Sequence, residues 1–153
     1  MIVPAEGEFR LDHEADTRRL GAAIAAELKR HEAVCLTGPL GAGKSTLARG
    51  LIQALAGEAT EVPSPTFTLV QSYATPRLVL AHFDLYRVDK PHEIAELGLD
   101  EALDEGAAVI EWPERLGHHL PHDRLDVELH IHGAGRRARL SPHGAWEDRP
   151  LEF

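Results

Sequence analysis

Gly38–Pro39–Leu40–Gly41–Ala42–Gly43–Lys44–Ser45 is the stretch whose reading decides the fold. It fits the phosphate-binding loop pattern G-x-x-x-x-G-K-[ST]. The apolar run Ala33–Val34–Cys35–Leu36–Thr37 precedes it and reads as a buried strand. The segment from Ser45 to Leu55 follows and reads as a helix, with Leu47, Leu51 and Leu55 on one face. Strand, loop and helix together are the context the pattern requires. The chain has only three lysines, so a lysine at this place by chance is improbable. Glycines let successive backbone N–H groups turn inward around phosphate oxygens, and the helix N-terminus adds its dipole. Gly38, Leu40, Gly41, Ala42, Gly43, Lys44, Ser45 and Thr46 are therefore expected to bind ATP. Lys44 reaches the β- and γ-phosphates in this reading, and the Ser45 hydroxyl holds Mg²⁺.

Working outward, two further strands end on acids. Leu78–Val79–Leu80–Ala81–His82–Phe83–Asp84 is one; Ala107–Ala108–Val109–Ile110–Glu111 is the other. A carboxylate at the C-terminal end of a strand beside a phosphate loop organises Mg²⁺ or orients the attacking water. Spacing does not say which acid does which, and an acid that merely caps a loop is the plainer alternative for each. Glu61–Val62–Pro63–Ser64–Pro65–Thr66–Phe67 lies after the loop helix, where its prolines forbid helix. The Ser64 and Thr66 hydroxyls can approach a γ-phosphate as a switch does, although a turn feeding the strand Thr68–Tyr73 is the simpler reading.

Asp12 is a suitable N-cap for a helix running to about Arg30, with Leu20, Ile24 and Leu28 inward and Thr17 and Arg18 on a solvated face. Glu8–Phe9–Arg10–Leu11 alternates as an edge strand does. Pro91 opens a helix that continues through Leu99 to Leu103. Arg124–His132 alternates and returns through Gly133–Ala134–Gly135 to Arg136–Leu140, an antiparallel hairpin. Arg136, Arg137 and Arg139 form a local basic patch, read as a charged edge that discourages aggregation.

The bulk properties bound the rest. A chain of 153 residues with 43% hydrophobic content suits one α/β domain, over 1–146, with a C-terminal tail, 147–153. No apolar run approaches the ~20 residues of a membrane span, and the N-terminus lacks a signal-peptide pattern. Cys35 reads as a small core residue, and the expected location is the cytoplasm. A net charge of −9 argues against a broad DNA- or RNA-binding surface. His118, His119 and His122 read as a polar loop rather than a metal site.

Four segments taken together are similar to one family: Gly38–Ser45 with Gly50, Ser64-Pro-Thr-Phe67, His82-Phe-Asp-Leu-Tyr-Arg87 and Glu111-Trp-Pro-Glu114. They resemble TsaE (formerly YjeE), small bacterial P-loop ATPases of tRNA threonylcarbamoyladenosine biosynthesis. The resemblance runs from the first helix to the C-terminal hairpin; Ser45 stands where family members often carry Thr, and the tail 147–153 matches nothing. It implies a mixed central sheet flanked by helices, with Asp84 as the Mg²⁺-organising acid, Glu111 near the γ-phosphate, Trp112 beside the nucleotide and Thr66 in a switch-like loop. It also implies TsaD and TsaB as partners, with tRNA reached only through them and ATP hydrolysis resetting the pair between turnovers. Arg87, Thr66 and the hairpin arginines are candidate partner contacts. A small P-loop kinase is the alternative, although the chain has little room for an acceptor pocket and an Arg-bearing lid. A GTPase lacks support, since no Asn-Lys-x-Asp segment is present.

Overall fold

The computed structural model describes residues 1–65, 68–90 and 92–153. The central strand β3 (Ala33–Thr37) is flanked by parallel β6 (Ala107–Glu111) and parallel β7 (Arg124–His132). Beyond β6 lie parallel β5 (Val79–Asp84) and then antiparallel β4 (Val70–Ala74). Beyond β7 lie antiparallel β8 (Gly135–His143) and β2 (Gly7–Leu11). The seven-stranded order is therefore β2-β8-β7-β3-β6-β5-β4, a mixed sheet with its parallel strands at the centre. The sheet and the hairpin β7–β8 agree with the fold class expected from the sequence.

Helices α1 (Glu14–Glu27) and α2 (Lys44–Ala56) cover one face. Leu20, Ile24, Leu47 and Leu51 pack there against Val34, Leu36, Val109, Val127 and Leu140. The other face of the parallel strands is covered by α3 (His92–Leu97), α4 (Leu99–Glu105) and a 3-10 helix, Pro113–His119. There Ala33, Cys35, Phe83 and Ile110 meet Ile94, Leu99 and Leu116. Strands covered on both faces read as unbroken apolar runs, which is why β3, β5 and β6 were plain in the sequence. Burial pushes the Cys35 thiol up to about 12, with Asp126 adding to the rise and Arg124 opposing it.

Some boundaries differ from the sequence reading. The first helix is capped by His13, one residue past Asp12; the His13 N–H donates to Asp16 Oδ2 at 3.0 Å. It ends at Glu27 rather than Arg30, because two guanidinium groups take its last carbonyls: Arg77 on Leu28 O at 2.6 Å, Arg149 on Glu27 O at 2.9 Å. Thr17, expected on a solvated face, is only 2% exposed, because it packs against Gly43 of the phosphate loop. The strand expected from Thr68 begins at Val70, since Leu69 adopts a left-handed φ of 67°. The helix expected through 91–103 is two helices, broken at Gly98 with φ 77°; Pro91 itself lies outside the described residues.

The helices α1 and α2 cross closely at Gly50, where a side chain would collide with the Arg18 carbonyl. Residues 147–153 include β9 (Pro150–Glu152), which pairs antiparallel with β1 (Ile2–Pro4) in a separate two-stranded sheet. Trp146 is fully buried just before it. The tail is fastened by Arg149, whose guanidinium grips Glu32 with both nitrogens, at 2.6 and 2.7 Å, at the entrance to β3. Among the described residues no helix is long and apolar enough to cross a membrane.

Candidate active site

The loop after β3 and the ends of β5 and β6 meet in one cleft of about 380 Å³. Its lining includes Gly41, Gly43, Lys44, Ser45, Asp84 and Glu111. The convergence follows from sheet register: Asp84 and Glu111 are cross-strand partners at the C-terminal ends of parallel β5 and β6. The turn into α2 is made at Gly43, with φ 106°, a conformation that other residues rarely adopt. That turn starts the helix at Lys44, so Lys44 and Ser45 project from its first turn toward the two carboxylates.

Ser45 Oγ donates to Glu111 Oε1 at 3.4 Å. Asp84 Oδ1 accepts the Tyr86 N–H at 3.1 Å, which turns the chain sharply after β5. Lys44 Nζ donates to the carbonyls of Gly38 and, at 3.4 Å, Pro39. Its ammonium also lies 4.2 Å from the centre of the Trp112 ring, a cation–π contact. Burial lowers the Lys44 pKa, while the charges of Glu111, Glu114 and Asp84 oppose that fall. Trp112 holds a left-handed φ of 62°, which aims its indole back over Lys44 and against Tyr86, ring centres 5.0 Å apart. A strained backbone beside a cleft is a common mark of a working site.

Of the residues singled out from sequence, Leu40 stands at the loop tip and is 70% exposed, while Ala42 is fully buried beneath it. Gly38 adjoins Leu129 of β7, and Thr46 lines the cleft with Ser64. Thr66 lies outside the described residues. Arg87 is exposed on the turn after β5. Ser45, Asp84 and Glu111 offer a hydroxyl and two carboxylates, hard oxygen donors of the kind Mg²⁺ takes.

Two residues of this region were not placed at the nucleotide site by the sequence reading. Arg136 belonged to the hairpin patch read as a charged edge. Its guanidinium instead donates to the Gly41 carbonyl, at 2.9 and 3.2 Å, across the sheet. Arg137 and Arg139 face Glu8, but they lie on β8, which is not an edge, because β2 pairs along its outer side. Arg136 also walls a second cavity of about 320 Å³ with Asp12, His13, Thr17 and Thr46, on the other side of the loop from the carboxylates. No local pattern announces this, because the contact joins residues 95 positions apart. His82 is the other. It donates to Glu111 from inside the sheet, and its one sequence signal is a polar residue in an apolar strand, two before Asp84.

Comparison with known proteins agrees with this architecture. Residues 11–139 match the family described as "Threonylcarbamoyl adenosine biosynthesis protein TsaE". A Rickettsia bellii protein named "tRNA threonylcarbamoyladenosine biosynthesis protein TsaE" is 44% identical over 121 residues, covering 79% of this chain and 84% of its own. The Aquifex aeolicus protein of the same name is 43% identical, covering 71% and 77%. The crystal structure of YdiB from Bacillus superposes with a TM-score of 0.75 at 27% identity, covering 94% of this chain and 88% of its own. With its phosphate loop, paired strand-end acids and mixed sheet, this chain belongs to the TsaE family.

Proposed function

We propose that the protein is a Mg²⁺-dependent ATPase of tRNA threonylcarbamoyladenosine biosynthesis that binds the TsaB–TsaD pair and supports its repeated turnover. The observation that carries this reading is the meeting of Lys44, Ser45, Asp84 and Glu111 in one cleft at the ends of three parallel strands. The family of the chain supplies the pathway.

In this reading the loop N–H groups and the α2 N-terminus hold the phosphates, and Lys44 exchanges its carbonyl partners for β- and γ-phosphate oxygens. The base and ribose occupy the second cavity, which shares Gly41, Gly43 and Thr46 with the phosphate cleft. Ser45 and Asp84 would hold Mg²⁺, with Glu111 beside them. The ion, when bound, neutralises charge that builds on the transferring phosphoryl group. Glu111 orients the attacking water and accepts its proton. Trp112 closes one wall, and Ser64 the other. Leu40, Tyr86 and Arg87 stand exposed around the mouth, where a protein partner would meet the loop. A chain of charge −9 reaches tRNA through such partners rather than by its own grip, and works in the cytoplasm where they do.

Steady-state phosphate release with ATP and Mg²⁺, with and without purified TsaB and TsaD, tests the reading. Slow release that rises with the pair supports it. Release and binding unaffected by the pair would overturn the partner assignment, and phosphate found on an added small-molecule acceptor would make the protein a kinase.

A further inference from the structure

His82 lies on β5, the strand that ends on Asp84, yet neither the phosphate loop nor the metal ligands account for it. It sits on β5 opposite Val109 of β6, so Glu111 is its diagonal neighbour on the same face of the sheet. Its Nε2 donates to Glu111 Oε2 at 2.7 Å, and the two side chains are 3% and 4% exposed. The other ring nitrogen, Nδ1, is buried and has no partner among the described residues. An orphaned N–H there would cost the full desolvation of a donor, whereas a bare lone pair costs less, so the proton belongs on Nε2.

The consequence falls on Glu111. A carboxylate rotates easily about its last torsion, which is broad and roughly two-fold, so a buried Glu beside a cleft has no intrinsic reason to present one particular oxygen. Here Oε2 is taken by His82, and Oε1 faces the Ser45 hydroxyl and the cleft. We propose that His82 is a positioning residue that clamps Glu111 by one oxygen and so dedicates the other to the reacting end of the nucleotide. The inference rests on the ATPase reading and deepens it. The clamp acts from behind the carboxylate, within the sheet. His82 itself does not line the cleft and reaches it only through Glu111. It therefore bears on the rate of the chemical step and leaves nucleotide docking alone.

Geometry offers a discriminating pair of variants. The amide nitrogen of Gln extends about as far as His Nε2, while that of Asn stops near Nδ1. His82→Gln keeps a donor within reach of Oε2, and His82→Asn, polar and smaller, does not. For phosphate release with TsaB and TsaD, kcat of His82→Asn is expected to fall about 10–100-fold, with KM for ATP within about twofold and His82→Gln recovering most of the loss. Equal kcat in the two variants, or a change in KM alone, would overturn the clamp. A long-range ¹H–¹⁵N correlation of the nucleotide-free wild type reads the same contact without activity or mutation. It should show His82 protonated at Nε2, and the tautomer with its proton on Nδ1 and a bare Nε2 would overturn the clamp even if both variants were too unstable to assay. Absence of phosphate release from the wild type would instead overturn the ATPase reading, with the correlation still reporting on the contact.

Discussion

The two halves of the sheet are built differently. β3, β6 and β5 run parallel, are closed by helices on both faces and end on the candidate catalytic groups. β7, β8 and β2 include the antiparallel wing, closed by α1 and α2 on one face and bearing charged residues such as Glu8, Arg10, Glu128, Arg137 and Arg139 on the other. Parallel strands all point their C-terminal ends the same way, so successive strand–loop–helix units deliver loops to one edge and build a site there. An antiparallel hairpin delivers nothing by connectivity. It contributes by reach, through Arg136 onto the Gly41 carbonyl. The centre therefore supplies chemistry from local sequence, and the wing supports it from a distance.

The sharpest break of this comparison would be a centre that is not closed. Raising the Cys35 thiol from its ordinary 9.0 to about 12 lowers its thiolate fraction at neutral pH about 10³-fold, before any steric shielding. Native protein should react with a thiol reagent at least that much more slowly than protein unfolded in urea; comparable rates would show that β3 is open to solvent. The same shift means that the folded state binds more protons than the unfolded one between these values, so the thiol's contribution to stability is complete below about 9 and is lost as pH climbs toward 12.

Next in size is the chemistry at the edge of the centre. Glu111→Gln keeps the shape and the contact with His82 but removes the base. It should lower kcat about 10²–10³-fold while leaving ATP bound. Isothermal titration beside phosphate release separates the two, and normal turnover would make Glu111 a structural residue.

The hold of the tail on the centre comes next, at Arg149 and Glu32. Arg149→Met leaves Glu32, only 4% exposed, with the Lys29 N–H but without its guanidinium. Stranding a buried carboxylate costs about 3–5 kcal/mol, seen as a melting point lower by roughly 10 °C. A shift of a degree or two would mean that the Arg149 clasp beside the β1–β9 sheet adds little to stability. The smallest effect belongs to Arg136→Ala, which removes two hydrogen bonds to an exposed loop carbonyl. It should weaken ATP affinity about three- to tenfold with little change in melting point, in keeping with about 1 kcal/mol for such contacts. No change in affinity would confine the wing to packing.

Much of the site was legible because its signals are local. The phosphate loop announces itself within eight residues, and Asp84 and Glu111 each close an apolar run. Boundaries were read less well where distant groups set them, as Arg77 and Arg149 do at the end of α1. Thr17 was misplaced because helical periodicity describes a face, and only the neighbouring loop says whether that face meets water.

The sequence by itself determined the phosphate loop, the acids at two strand ends, the hairpin and the family, since each depends on residue types at short spacing. Tertiary structure alone decided that Asp84 and Glu111 stand side by side, that His82 grips Glu111, that Arg136 reaches Gly41 and that the tail closes on β1. These are contacts between segments far apart in the chain. Strand order and register create them, and hydrophobic packing on both faces of the sheet, which is non-directional and indifferent to sequence distance, sets that order.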